Sequence, residues 1–171
     1  ALLANMAAMY AVYHGAEGLK NIAKRTTLLT YTLAEHLQES GYELVNESYF
    51  DTITFKINDA EKLKGIAERH EMNFYFPSEK LVTISLDETT TKSDVLNIVS
   101  VFNSAKDIDT TAITIDNETD LENIPGSLQR TSAFLLHPVF NQYYSETEMM
   151  RYLQKMENKA MSLTNSMIAL G

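Results

Sequence analysis

The chain has 171 residues, enough for one domain of ordinary size or a domain with an appendage. A globule of that length buries roughly 70% of its unfolded surface and needs no disulfide or metal to fold. Cysteine is absent, which excludes thiolate catalysis, disulfides and Cys-based zinc sites. The net charge is -9, from 23 acidic and 14 basic residues. That is the wrong sign for a nucleic-acid partner, whose phosphates are bound by Lys and Arg, and it serves solubility instead.

The first segment places Leu2, Met6, Met9, Tyr10 and Tyr13 on one helical face. Leu3, Ala4, Ala7, Ala8 and Ala11 fill the other side, so this helix is apolar nearly all round and calls for neighbours. It is too short for the roughly 20 residues of a membrane span, and no basic flank marks a signal peptide. No membrane association is expected. No N-cap precedes the helix, and Met167, Ile168 and Leu170 leave the far end apolar. Both ends are expected to be interruptions of a longer, intracellular polypeptide.

His14-Gly15 is expected to stop the first helix, with Gly15 at the left-handed position that follows a helix. A second helix carries Leu19, Ile22, Ala23, Leu29, Leu33 and Leu37 to Ser40-Gly41. The period then changes. Tyr42 to Asn46 reads as a short strand, and Thr52 to Ile57 alternates, with Ile53, Phe55 and Ile57 on the covered face. Asn58 and Glu61 resemble a capping box for a helix that buries Leu63, Ile66 and Ala67. Residues 73–76 and 81–86 read as a hairpin around the four-residue loop Pro77-Ser78-Glu79-Lys80. Thr91 or Ser93 caps the next helix, whose stripe is Val95, Ile98, Val99 and Phe102.

The order is two helices followed by β-β-α-β-β-α, an α+β two-layer sandwich with an antiparallel or mixed sheet and helices on one side. Residues 1–103 form this domain. Residues 104–144 lack a clear element, carry an acidic run from Asp107 to Glu122, and read as an extended connector. Residues 145–171 open with a further helix capped by Ser145 and Glu148, with Met149, Tyr152, Leu153 and Met156 as its stripe. The methionines of the first and last helices are expected to fill core.

Catalytic motifs are missing. There is no G-x-G-x-x-G, no G-x-x-x-x-G-K-[ST] and no G-x-S-x-G. His70-Glu71 begins like a zinc-protease helix, but Phe74 stands where the second His belongs. His14, His36, His70 and His137 show no metal-ligand spacing, so no metal is expected. The sequons at Asn46 and Asn117 read as chance matches.

The run Arg130-Thr131-Ser132-Ala133-Phe134-Leu135-Leu136-His137-Pro138-Val139-Phe140-Asn141 is followed by Ser145-Glu146-Thr147-Glu148-Met149 and by Leu163-Thr164-Asn165-Ser166-Met167. Together with Ala1 to Gly15 and Glu17-Gly18-Leu19, this order resembles the glycine cleavage system P-protein family. The resemblance spans the whole chain and is densest at its ends. It implies an internal fragment of a cytoplasmic enzyme, from a bacterium before a mitochondrial matrix. The family decarboxylates glycine on pyridoxal phosphate and passes the aminomethyl group to the lipoyl arm of H-protein. Its long form has two homologous halves of fold-type I architecture.

Residues 1–103 then resemble the C-terminal small domain of the first half, followed by the connector into the second. The lysine that carries the cofactor is expected beyond Gly171, so the resemblance implies no catalytic residue and no covalent cofactor here. Thr164, Asn165 and Ser166 come nearest to an active-site stretch. The family usually has His at the position of Asn165 and Pro at Ala16, Ala133 and Ala169, so an acid–base role at 165 is lost. The parent is expected to be a homodimer or a two-chain assembly. Two other readings remain: an amino-acid-binding regulatory module ending near Asn103, and an interaction scaffold that docks through the first helix.

Overall fold

The alternating apolar residues assemble a four-stranded antiparallel sheet. The computed structural model describes residues 1–110, 112, 114–115, 123–163 and 166–167. The chain divides into two compact units, Ala1–Asn21 with Thr131–Gly171, and Ile22–Arg130.

In the second unit the strands are β1 (Glu43–Leu44), β2 (Thr52–Lys56), β3 (Tyr75–Ser78) and β4 (Leu81–Ser85), in the order β1-β2-β4-β3. Ile53 pairs with Ile84 and Phe55 with Val82. All four are buried, with Ile57 and Leu86 extending the same row. The opposite face is a ladder of hydroxyls, with Thr54 bonded to Thr83 at 2.8 Å and Thr52 to Ser85 at 2.9 Å. A sheet with one apolar and one hydroxylic face accepts helices on the apolar side alone.

Two helices cover that side. In α2 (Ala60–Arg69) the buried residues are Leu63, Ile66 and Ala67; in α3 (Lys92–Ala105) they include Val95, Ile98, Val99 and Phe102. Thr91 caps α3 in a reciprocal capping box with Asp94. The cap of α2 is Asp59, one residue beyond Asn58, because the Asp59 carboxylate accepts from Lys62 N at 2.9 Å. The hairpin also differs from its expected form. Ser78 pairs with Leu81, which leaves a two-residue turn, and Pro77 lies inside β3 with a bulge between Tyr75 and Ser78. Proline is tolerated there because β3 is an edge strand.

Helix α1 runs from Leu2 to Glu39 and is broken at Gly15, where φ is 61° and ψ is −172°. That conformation belongs essentially to glycine alone, and it differs from the left-handed helical cap expected from the sequence. Beyond it, Leu29, Leu33, Ala34 and Leu37 join the core. Four threonines, Thr26, Thr27, Thr30 and Thr32, are buried beside them. Thr30 and Thr32 satisfy their hydroxyls on the carbonyls of Thr26 and Leu28 one turn back.

In the first unit the expected stripe of α1 is not the buried one. Val12 is buried, whereas Leu2, Leu3 and Met6 are exposed, so Met6 does not fill core. The unit also holds a 3₁₀ turn, Pro138–Asn141, and α4 (Glu146–Glu157), capped by Ser145 as expected. Met149, Tyr152 and Met156 are half-buried on α4, and Leu153 is exposed.

Candidate functional site

The residues singled out nearest the chain's end are only partly in view. Thr164 and Asn165 lie outside the described residues. Ser166 is half-buried and its backbone N–H donates to Ser162 O at 2.8 Å.

The densest motif, Phe134 to Tyr144, closes on the break in α1 within the first unit. His137 opens the 3₁₀ turn, its Nδ1 accepting from Val139 N at 3.2 Å. The Asn141 side-chain amide donates to the carbonyls of Leu135 and His137, both at 3.1 Å, which holds Leu135 at a φ of 52°. The Tyr144 hydroxyl donates to Phe140 O at 2.9 Å. A Cβ on Gly15 would meet that Phe140 oxygen and the Tyr144 ring, so the turn and the break in α1 are fitted to each other. The His14 ring lies tilted against Tyr10 and edge-on to Tyr13, at ring separations of 4.3 and 5.1 Å. Lys20 pairs with Glu17 at 2.8 Å and lies 5.9 Å from the Phe134 ring. The polar groups of Asn141 and Tyr144, and Nδ1 of His137, are bonded within the turn.

The second unit includes two cavities lined by described residues. One, about 190 Å³, is bordered by Tyr42, Asn58, Lys62 and Lys106. Lys106 Nζ donates to Ser40 O at 2.9 Å and Gly41 O at 2.8 Å, and sits 3.8 Å from the centre of the Tyr42 ring. Burial lowers its pKa. It closes the turn that follows α1, where the last helical carbonyls attract a cation. Lys62 faces Asp107 at 3.7 Å. The Tyr42 hydroxyl donates to Phe102 O at 2.7 Å, and burial pushes its pKa up to about 12. The other cavity, about 390 Å³, lies between Asn73–Tyr75, the end of β4 and the start of α3. Among the described residues no group of three His, Cys, Asp or Glu is arranged to hold a metal.

The sequence profile of the glycine cleavage system P-protein matches residues 1–102. The chain belongs to that family. It is 48% identical over 170 residues to the glycine dehydrogenase (decarboxylating) of Flavobacterium johnsoniae, 99% of this chain and 18% of that protein. The enzyme of the same name from Vibrio parahaemolyticus is 49% identical over 174 residues, covering all of this chain and 18% of its own length. That of Christiangramia forsetii is 47% identical with the same 18% share. The chain therefore spans about a fifth of the curated P-proteins it matches, and the match includes the joint and α4. A serine palmitoyltransferase from Sphingomonas wittichii aligns at a TM-score of 0.39 and 20% identity, over 50% of this chain and 25% of that one, a likeness too slight to carry an argument.

Neither cavity suits pyridoxal phosphate. The larger is lined by a carboxylate and no cation, the reverse of what a phosphate requires. The smaller falls below the roughly 300 Å³ of ordinary ligand pockets, and its Lys106 ammonium is already held by two carbonyls. Sequence reading missed Lys106, the buried threonines and Asn123. Lys106 and Asn123 find their partners through the tertiary fold, and Thr30 and Thr32 bond one turn back in their own helix, so composition alone does not mark them as buried.

Proposed function

We propose that this chain is an internal segment of a pyridoxal-phosphate-dependent glycine dehydrogenase (decarboxylating), and that it contributes packing and not chemistry. The identity of 48% along 99% of the chain, against 18% of the relative, carries this reading. Residues 1–103 serve as the small domain of the first half, residues 104–144 as the connector, and residues 145–171 as the lead-in to the second half. The parent releases CO₂ from glycine and passes the aminomethyl group to the lipoyl arm of H-protein, in a bacterial cytoplasm, as a homodimer or a two-chain assembly. The cofactor supplies the electron sink and the protein supplies binding and orientation. Thr164, Asn165 and Ser166 approach the active-site stretch, which the parent completes with residues that follow.

The joint between Gly15 and the turn at Pro138–Asn141 supports a packing role, since the side chains of Asn141 and Tyr144 are bonded within the turn. Two measurements test the reading. The chain alone, given pyridoxal phosphate, glycine and H-protein, is expected to leave the cofactor's absorbance unchanged and to release no CO₂. Residues 1–163 grafted into the Flavobacterium johnsoniae enzyme, stopping short of Asn165 and Ala169, are expected to sustain H-protein-dependent CO₂ release. Turnover by the isolated chain, or a folded but inactive graft, would overturn the assignment.

A further inference from the structure

The larger cavity arises where β3 and β4 part company. The hydrogen bonds from Ile57 N to Lys80 O and from Leu86 N to Asp51 O show that even-numbered residues of β4 bond towards β2. Odd-numbered residues of β4 therefore turn their peptide groups towards β3. Thr83 meets Tyr75 there, but the ladder goes no further, and Phe74 turns inward, its ring 5.6 Å from that of Phe102. Ser85 is left with its N–H and C=O facing a gap, with no partner for either among the described residues.

The floor of the gap is apolar, made by Met72, Phe74, Ile84, Leu86 and Ile98. The polar side chains around it are mostly committed. Thr52 gives its one hydroxyl proton to Asp51, so in the bond to Ser85 it is Ser85 that donates. Thr83 is bonded to Thr54, and Thr90 to Asp87. Asp94 is the charged group of the lining, and no cation accompanies it. It receives Thr91 N and Thr91 Oγ1 through Oδ2, and Oδ1 has no hydrogen-bond partner among the described residues. Those bonds hold its carboxyl below the usual range, so it is ionised at neutral pH.

An anion entering this cleft meets a carboxylate and the carbonyl of Ser85 beside the one free N–H, and the Arg25 guanidinium at its edge already donates to Thr90 O at 3.1 Å. A cation meets an open carboxylate oxygen, and a group that both donates and accepts meets the free peptide edge of Ser85. We propose that the cleft binds an α-amino amide with an apolar side chain: the ammonium on Asp94, the amide on the peptide edge of Ser85, and the side chain on the Ile84–Leu86–Ile98 floor. The volume, about 390 Å³, lies within the range of small-ligand sites. A free amino-acid amide and the N-terminal residue of a peptide share this chemistry. A free amino acid does not, because its carboxylate has no proton to give the Ser85 carbonyl.

The test is an amide and methyl NMR titration of the 171-residue chain, whose dispersed spectrum reports folding in the same experiment. Leucinamide is expected to shift Ser85, Asp94 and the methyls of Ile84, Leu86 and Ile98 saturably. Both N-acetylleucinamide, which loses the charge-assisted contact to Asp94, and leucine, whose carboxylate cannot donate to the Ser85 carbonyl, are expected to bind at least about tenfold more weakly. Leu-Gly-Gly separates the two sources: equal or tighter binding than leucinamide indicates a peptide N-terminus, and much weaker binding a free amide. D94N should weaken leucinamide about tenfold. Because Asp94 also caps α3, N73W provides a second variant, blocking the mouth from an exposed position without touching the cap. Equal binding of leucine and leucinamide, full affinity in folded D94N or N73W, or shifts scattered away from the cleft would overturn the proposal.

Discussion

The carbonyl oxygen of Phe140 lies 2.8 Å from where a Cβ on Gly15 would be. Two features distant in sequence thus require the same glycine: the break in α1, with φ at 61°, and the close seating of the 3₁₀ turn. G15A is expected to lower stability by about 2–4 kcal/mol, from backbone strain and a backbone contact that does not yield as a flexible side chain would. Gly126 supplies the control. Nothing lies within 4 Å of a Cβ there, and G126A is expected to stay within about 0.5 kcal/mol of the parent chain. Urea denaturation of both variants checks the contrast.

Asn123 makes a different kind of tie. Its side-chain amide donates to Thr27 Oγ1 at 2.7 Å and to Tyr49 O at 2.9 Å, and its backbone carbonyl accepts from Tyr49 N. Exchanging the amide's two atoms would set oxygen against the Tyr49 oxygen, so the orientation is fixed. N123A is expected to cost about 1–3 kcal/mol by stranding the buried Thr27 hydroxyl and the half-buried Tyr49 carbonyl. N123D should cost more, since it places an acceptor where a donor is needed. Equal unfolding midpoints for N123A and N123D would contradict the assignment of the amide.

Acid should weaken the start of α3. Hydrogen bonds from the Thr89 side chain and backbone, then from Thr90, lower the pKa of Asp87, and those from Thr91 lower that of Asp94. A depressed folded-state value gives stability that is present above the ordinary value of 3.8 and lost as pH falls through the folded one. The urea midpoint is expected to fall as pH drops below 3.8. In D87N/D94N the midpoint should begin lower at neutral pH and decline less on acidification.

The parts of the fold that were legible in the sequence are those fixed by local pattern. Ile53, Phe55 and Ile57 alternate, and that alone assigns their strand a covered face. Val95, Ile98, Val99 and Phe102 mark the inner stripe of α3 at helical spacing. Pro77 misled because proline commonly signals a turn, whereas an edge strand also tolerates it. The buried threonines of α1 resemble surface residues until their hydroxyls are seen on the carbonyls one turn back. Asn123 meets Thr27 across 96 positions, and Lys106 meets Ser40 across 66. No local spacing encodes such pairings. For the site, the run around His137-Pro138 carried the family resemblance, but only the geometry shows the side chains of Asn141 and Tyr144 bonded within the turn.

Alkali should act on the other side of the pH range. Burial raises the pKa of Tyr42 to about 12, and burial reinforced by the charges of Tyr31 and Glu35 raises that of Tyr49 to about 12. In the unfolded chain both phenols ionise near 10.0. A folded value above the unfolded one gives stability that is complete below pH 10.0 and lost as pH rises from there towards 12. Y42F removes one such titration together with the 2.7 Å bond to Phe102 O. It is expected to cost about 1 kcal/mol at neutral pH and to fall less steeply than the parent above pH 10.0. Urea midpoints between neutral pH and pH 11 decide the point. Parallel declines for the parent chain and Y42F would mean that the Tyr42 phenol is open to solvent in the folded state.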